Sequence, residues 1–319
     1  MSRRDPSKPA RSLWLATISV AVLAFLCLPI LIVVPMSFSS AQSLEFPPPG
    51  FSLRWYETLF GDGKWIDAGI NSLVLAGAAS TLALVLGTLA AYALVRGGVI
   101  GRGLMESNFV APMVVPSIIT AVAMFFFAAR LEILGSFVGL VIAHTVLVVP
   151  YVIMLMSVAI KSFDQRIELV AMTLGATRLT MLRKVLLPNL GPSAFAAWLF
   201  AFVISFDEVV VTLFLAGTHF TIPKKMFNEL TLQINPTITA VAGVLIVFSL
   251  LAAGLAALVL RRGNPLQQKR AAIEARRERA QQELPRPHLL QANVSAAGRS
   301  GVRRIRIRDR HRRNHMHRS

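Results

Sequence analysis

Charge is scarce in this chain. Of its 319 residues, 15% are Asp, Glu, Lys or Arg, where a soluble domain carries about a quarter. Acidic side chains are scarcer still, at 16 against 33 Lys and Arg. The one cysteine, Cys27, excludes an intramolecular disulfide and a cysteine metal cluster. No GxxxxGK[ST] run occurs, so the chain offers no P-loop cradle for ATP phosphates. HExxH and the GxSxG elbow are missing too. Six histidines are present, and three of them (His311, His315 and His317) crowd a basic C-terminal stretch where spacing alone makes a poor metal site. No catalytic residue and no metal site is expected.

Apolar residues fill the space that charge leaves. They make up 55% of the chain and are bunched into six runs, near 13–38, 68–95, 109–129, 137–160, 193–217 and 237–260. Each run is long enough to cross a hydrocarbon core of about 30 Å at 1.5 Å per residue. Backbone groups in lipid must be satisfied within the segment, so the runs predict helices, and no short alternating strands suggest a barrel. The fold class expected is an all-α polytopic membrane protein with six transmembrane helices. The first run outlasts the roughly 7–15 residues of a signal h-region, which favours a retained anchor over a cleaved leader.

Loop charges set the orientation. Arg3, Arg4, Lys8 and Arg11 precede the first run; Arg96 and Arg102 lie in the second connection; Lys161, Arg166, Arg178, Arg183 and Lys184 lie in the fourth. The odd-numbered connections balance their few cations with Glu45, Glu57, Asp62, Asp67, Glu132 and Glu229. Both termini are therefore expected on the cytoplasmic side. Three regions follow: a cytoplasmic arm at 1–12, a membrane domain at 13–262 with a cytoplasmic loop at 161–192, and a basic tail at 263–319. From residue 261 onward lie 17 of the 33 Lys/Arg and only 4 of the 16 Asp/Glu. With so little apolar material the tail is expected to be disordered and solvated, with no specific nucleic-acid partner.

Within the domain, Pro29, Pro35, Pro112, Pro116 and Pro150 are expected to kink their helices, and the small residues of 75–93 to allow close packing. Trp55, Tyr56 and Trp65, in the first outward loop, read as headgroup-depth anchors, on a segment that suits a short amphipathic helix. Intramembrane polar groups are costly and draw the eye. His144 reads best as a neutral histidine bonded across helices. Asp207 and Glu208, in "VISFDEVVVTLF", lie in the outer half of the fifth run, about 100° apart on a helix. They are candidates to line a path for a cationic solute, or else to pair with a cation such as Lys224 or Lys225.

The segment "ELVAMTLGATRLTMLRKVLLPNLGP" (168–192) is charged, yet Leu179, Leu182, Val185 and Leu186 recur at helical spacing. It reads as two short helices joined at Gly175, with Pro188 and Pro192 leading into the fifth run. An exposed apolar stripe on a cytoplasmic loop needs a cover, either a partner's groove or the bilayer surface. Spacing alone leaves these two readings level.

Wider pattern separates them. "LVAMTLGATRLTMLRKVLLPNLGP" resembles the EAA loop of ATP-binding-cassette (ABC) importer permeases: EAA, three residues, Gly, nine residues, an aliphatic, one residue, Leu-Pro. Gly175, Val185, Leu187 and Pro188 fall at those spacings. The triplet departs from the pattern, with Leu169, Val170 and Ala171 in place and Glu168 one position early. The likeness runs over about residues 12–262, and "SFDEVVVTLFLAG", "TIPKKMF" and "INPTITAVAGVLI" are similar to the spermidine/putrescine branch.

The resemblance implies a type I ABC importer permease fold in the bacterial inner membrane, N-in and C-in. It implies that Glu168, Leu169, Ala171, Gly175, Ala176, Val185, Leu187 and Pro188 form a coupling helix against a cytoplasmic ATP-binding subunit dimer. A second homologous permease subunit and an extracytoplasmic solute-binding protein would complete the machine within the lipid bilayer. ATP and Mg would be held by the ATPase, with no cofactor on this chain. The solute expected is spermidine or putrescine, an opine or aminophosphonate being the alternative. A stand-alone secondary transporter is the rival class, and inverted repeats with broken midplane helices would support it; a membrane hydrolase using a serine with His144 lacks an elbow and an orienting carboxylate.

Overall fold

Small residues on one stripe decide the centre of this molecule. The computed structural model describes residues 8–98, 101–232 and 235–262; the tail expected at 263–319 lies outside the described residues. α3 (Gly63–Arg96) starts at Asp62, whose carboxylate accepts from the Lys64 amide, and buries Ser72, Ala76, Ala79, Ala83, Gly87, Ala91 and Leu94 along one face. That face lies against α6 (Phe137–Ser162), capped by Ser136, and both pack on α10 (Gly191–Asp207). The approach is close: a Cβ on Gly87 would stand 2.7 Å from Val152 Cγ1. Small residues let two backbones meet where lipid supplies no hydrophobic drive, as the small-residue stripe predicts. Leu73, Leu82, Val85, Leu86 and Leu89 point outward from the same helix, an apolar surface suited to lipid.

α1 (Lys8–Ser37) is apolar, and its stretch from Trp14 makes almost no internal packing. It joins the bundle at its far end, where Thr239 Oγ1 donates to the Met36 carbonyl and Tyr56 Oη donates to Ser37 Oγ. Tyr56 belongs to α2 (Arg54–Gly61), a short helix laid across the start of α13 (Thr237–Arg262). Here the anchoring expectation fails. Trp55 and Trp65 are buried with Leu59, Ala240 and Val241, and Trp55 Nε1 donates to the Ala41 carbonyl. Folding these rings inward removes more apolar area from water than a headgroup position would.

Two of the six expected spans are broken. The third divides into α4 (Arg102–Val114) and α5 (Ser117–Arg130), bent by 96°. Pro116 sits at the break, and Val115 before it is extended, as a residue preceding proline prefers. Pro150, by contrast, lies within an unbroken α6. The fifth run stops at Asp207 and resumes as α11 (Val210–Leu215). Seventeen residues of α10 reach only about 25 Å, short of a roughly 30 Å core, so the run does not cross as one rod. Among the described residues, α1, α3, α6 and α13 are each long and apolar enough to span, and taking α4 with α5, and the run 178–189 with α10, as single bent spans brings the number to six. No strand is present among them; Ser39 and Phe51 form one isolated bridge.

Candidate functional site

After α6 the chain leaves the helix through Phe163 and Asp164, both extended, and enters α7 (Gln165–Thr173) with Asp164 accepting from the Arg166 amide. α7 ends at a glycine turn. Gly175 has φ +91°, its N–H donates to the Met172 carbonyl, and the Ala176 N–H reaches back to Ala171. That pair of bonds is the Schellman arrangement, which places its left-handed residue where Gly175 stands. The chain then runs through α8 (Arg178–Met181), capped by Thr177, a π turn (Leu182–Leu186) and α9 (Leu187–Asn189) into α10. The run 178–189 meets α10 at 74°.

The stripe read from spacing does not face out. Leu186 is buried, Leu182 and Val185 pack half-buried against the α3–α6–α10 core, and only Leu179 is exposed. The uncovered apolar surface is a different set: Leu169 at 50%, Val170 at 56%, Leu174 at 82% and Leu179 at 55% exposure. The π turn is part of the reason, since its wider winding shifts the register that a 3.6-residue period assumes. Among the residues implied by the resemblance, Leu169, Gly175, Leu187 and Pro188 are exposed, while Ala171, Ala176 and Val185 are half-covered. Glu168 points inward, 4% exposed, and pairs with Arg96 at 2.9 Å.

The acidic pair diverges. Asp207 closes α10 and is exposed, with no hydrogen bond or ion pair among the described residues. Glu208 has left the helix, and its Oε1 accepts from the Val211 amide at 2.9 Å, capping α11. A continuous helix would have put both acids on one face; the break gives them separate jobs. Neither lysine serves them. Lys224 Nζ donates to the Gly217 carbonyl and lies over the Phe220 ring, while Lys225 pairs with Asp62 and Glu229 above Trp65. Burial pushes the Lys224 ammonium below its usual range.

His144 holds the break. It is fully buried on α6, with Nδ1 2.9 Å from Ser205 Oγ on α10 and Nε2 3.0 Å from Thr212 Oγ1 on α11. Thr212 spends its only hydroxyl proton on the Glu208 carbonyl, at 2.8 Å. It must then accept from Nε2–H, and in a fully buried ring with no carboxylate partner, where charge is disfavoured, Nδ1 accepts from Ser205. The ring is thus a neutral histidine bonded across helices, as its sequence position suggests. Ser205 and Thr212 carry no periodic or motif signal, so their role was invisible in the sequence. Across the molecule, a cavity of about 880 Å³ opens beside α3 and α12 (Ile222–Leu232), edged by Lys64, Asp67, Lys225 and Glu229. Among the described residues no three His, Cys, Asp or Glu side chains converge as metal ligands do.

Known proteins share this design. Residues 83–263 match the family described as "Binding-protein-dependent transport system inner membrane component". The spermidine/putrescine transport system permease protein PotC of Haemophilus influenzae is 35% identical over 245 residues, covering 76% of this chain and 95% of that protein. The putrescine transport system permease protein PotI of Escherichia coli is 34% identical over 240 residues, covering 73% and 85%. Among solved structures, a bacterial ABC transporter involved in the import of the acidic polysaccharide alginate superposes with TM-score 0.62. It is 17% identical, over 82% of this chain and 99% of that one. A methionine ABC transporter, MetNI, in an inward-facing conformation, superposes with TM-score 0.52 over 62% of this chain and 95% of that one, at 18% identity. The helical fold is that of ABC importer permeases, and the chain belongs to the family of binding-protein-dependent transport system inner membrane components.

Proposed function

We propose that this permease subunit forms half of an inner-membrane path for spermidine or putrescine, driven by a separate ATPase. The observation that carries the cargo is an unpaired Asp207 at the broken fifth span, in a chain whose relatives are named as polyamine permeases. A carboxylate at membrane depth is expensive unless it meets protein, water or a cationic solute. The drive rests on Leu169, Val170, Leu174 and Leu179, an apolar patch fit for a partner's groove. Behind it, Met181, Leu186 and Leu190 sit in the same core as α3, α6 and α10. Closure of an ATPase dimer on the patch would therefore move three helices together, a rigid-body switch between packed states.

On this reading the chain has six spans with both termini cytoplasmic, in three regions at 1–12, 13–262 and 263–319. Its partners are a cytoplasmic ATPase dimer that binds ATP and Mg, a homologous second permease and an extracytoplasmic solute-binding protein. The broken third and fifth spans meet one condition of a secondary transporter, but the family membership favours the importer. Reconstitution in liposomes with labelled spermidine tests it, using putrescine, an opine and an aminophosphonate as competitors. Uptake should require the ATPase, ATP and the binding protein, and only the amines of the polyamine class should compete. Transport by the chain without an ATPase, or indifference to polyamines, refutes the proposal.

A further inference from the structure

Arg96 is the last residue of α3, yet its side chain serves two other elements. Nη2 donates to the carbonyls of Ile160 and Phe163, at 3.0 and 2.8 Å, at the end of α6, where the Ile160 carbonyl also accepts the Phe163 N–H. Nε donates to Glu168 Oε1 at 2.9 Å. Both side chains are nearly buried, at 12% and 5% exposure. Glu168 therefore relies on this partner, since a carboxylate withdrawn from water and left alone is strongly unfavourable.

α7 lies between two joints. On one side are the extended residues Phe163 and Asp164, on the other the Gly175 turn followed by extended Thr177. Among the described residues, no other hydrogen bond or ion pair ties α7 to α3 or α6. Packing of Ala171 on the core adds contact but no direction. A guanidinium fork bonded at three points in one plane does supply direction.

We infer that Arg96 is a positioning residue, a latch that makes α7 move as one body with the ends of α3 and α6 when the ATPase displaces it. Without the latch α7 swings on its two joints and the displacement is absorbed there. The inference rests on the coupling role proposed for this segment, and its test separates the two.

Arg96→Met and Glu168→Gln are assembled with the ATPase, the second permease and the binding protein in proteoliposomes. ATP hydrolysis, spermidine uptake and retained ATPase are measured together. Uptake per ATP hydrolysed should fall on the order of tenfold in Arg96→Met, within the usual range of coupling between sites. It should fall less in Glu168→Gln, which keeps an acceptor oxygen. Amide exchange in residues 167–173 should quicken while residues 137–160 stay protected. A merely structural Arg96 would lower hydrolysis and uptake in proportion, and an unchanged ratio overturns the latch. Unchanged exchange in α7 overturns it too. Should Arg96→Met fail to assemble, Glu168→Gln decides by the same ratio. Loss of the ATPase from the unaltered chain would instead remove the coupling role, and the latch with it.

Discussion

Gly175 offers a test in which conformation and space are separable. At φ +91° it occupies backbone that an L side chain rarely adopts, and a Cβ added there meets no atom within 4 Å. Substitution costs therefore fall on the backbone alone. An alanine held in the left-handed region loses about 1–2 kcal/mol, enough to shift an equilibrium by a factor of about 5–30. Valine, branched at Cβ, loses more, and asparagine, which tolerates this region, loses less. If the turn must be formed for α7 and α8 to dock on the ATPase, docking weakens by up to these factors. Uptake and ATPase retention should rank Gly, then Asn, then Ala, then Val. Amounts of inserted chain should stay equal, because the site is exposed and touches nothing. Wild-type uptake by Gly175→Val, or an Asn variant as poor as the Val variant, refutes the reasoning.

Asp207→Asn should raise the KM for spermidine by about tenfold, the size of one 1.4 kcal/mol charge-assisted contact, while Glu208→Gln, which keeps an acceptor for the Val211 amide, should change it less than twofold; equal effects would return both acids to the path. His144→Phe removes both hydrogen bonds across the break. At about 0.6–1.7 kcal/mol each in a membrane, the detergent-solubilised protein should lose about 1–3 kcal/mol of stability, and an unchanged melting curve would contradict the staple. Lys224 gives a pH dependence of definite sign. Burial lowers its folded pKa below the 10.5 of the exposed side chain, so between the two values the unfolded chain binds more protons. Stability should rise with pH across that window. Lys224→Met should flatten the slope, as followed by denaturant midpoints at several alkaline pH values; an identical slope would show that another group is responsible.

Much of this molecule was legible because composition in lipid leaves few choices. Helices, the small-residue face of α3 and a neutral His144 all follow from the need to satisfy backbone and buried polar groups. The Gly175 turn was legible because its spacing to Pro188 carries a long pattern. The outward stripe was not, because Leu182, Val185 and Leu186 wind through a π turn that periodicity does not encode. The breaks were half legible: Pro116 announced the one before α5, while nothing in "SFDEVVV" announced the other. Trp55 and Trp65 misled, since an aromatic at an outer loop suits lipid headgroups and a protein cluster equally well.

The sequence by itself determined the solvent, the helical class and the family pattern, since each depends on residues near one another in the chain. Tertiary structure alone decided which polar groups are spent and which remain free. Glu168 is consumed by Arg96, 72 positions away, and Lys225 is shared between Asp62 and Glu229. Glu208 caps α11, and Asp207 is left open. The pairs Glu168–Arg96 and Lys225–Asp62 are set by the packing of elements far apart in the chain, which no local pattern encodes.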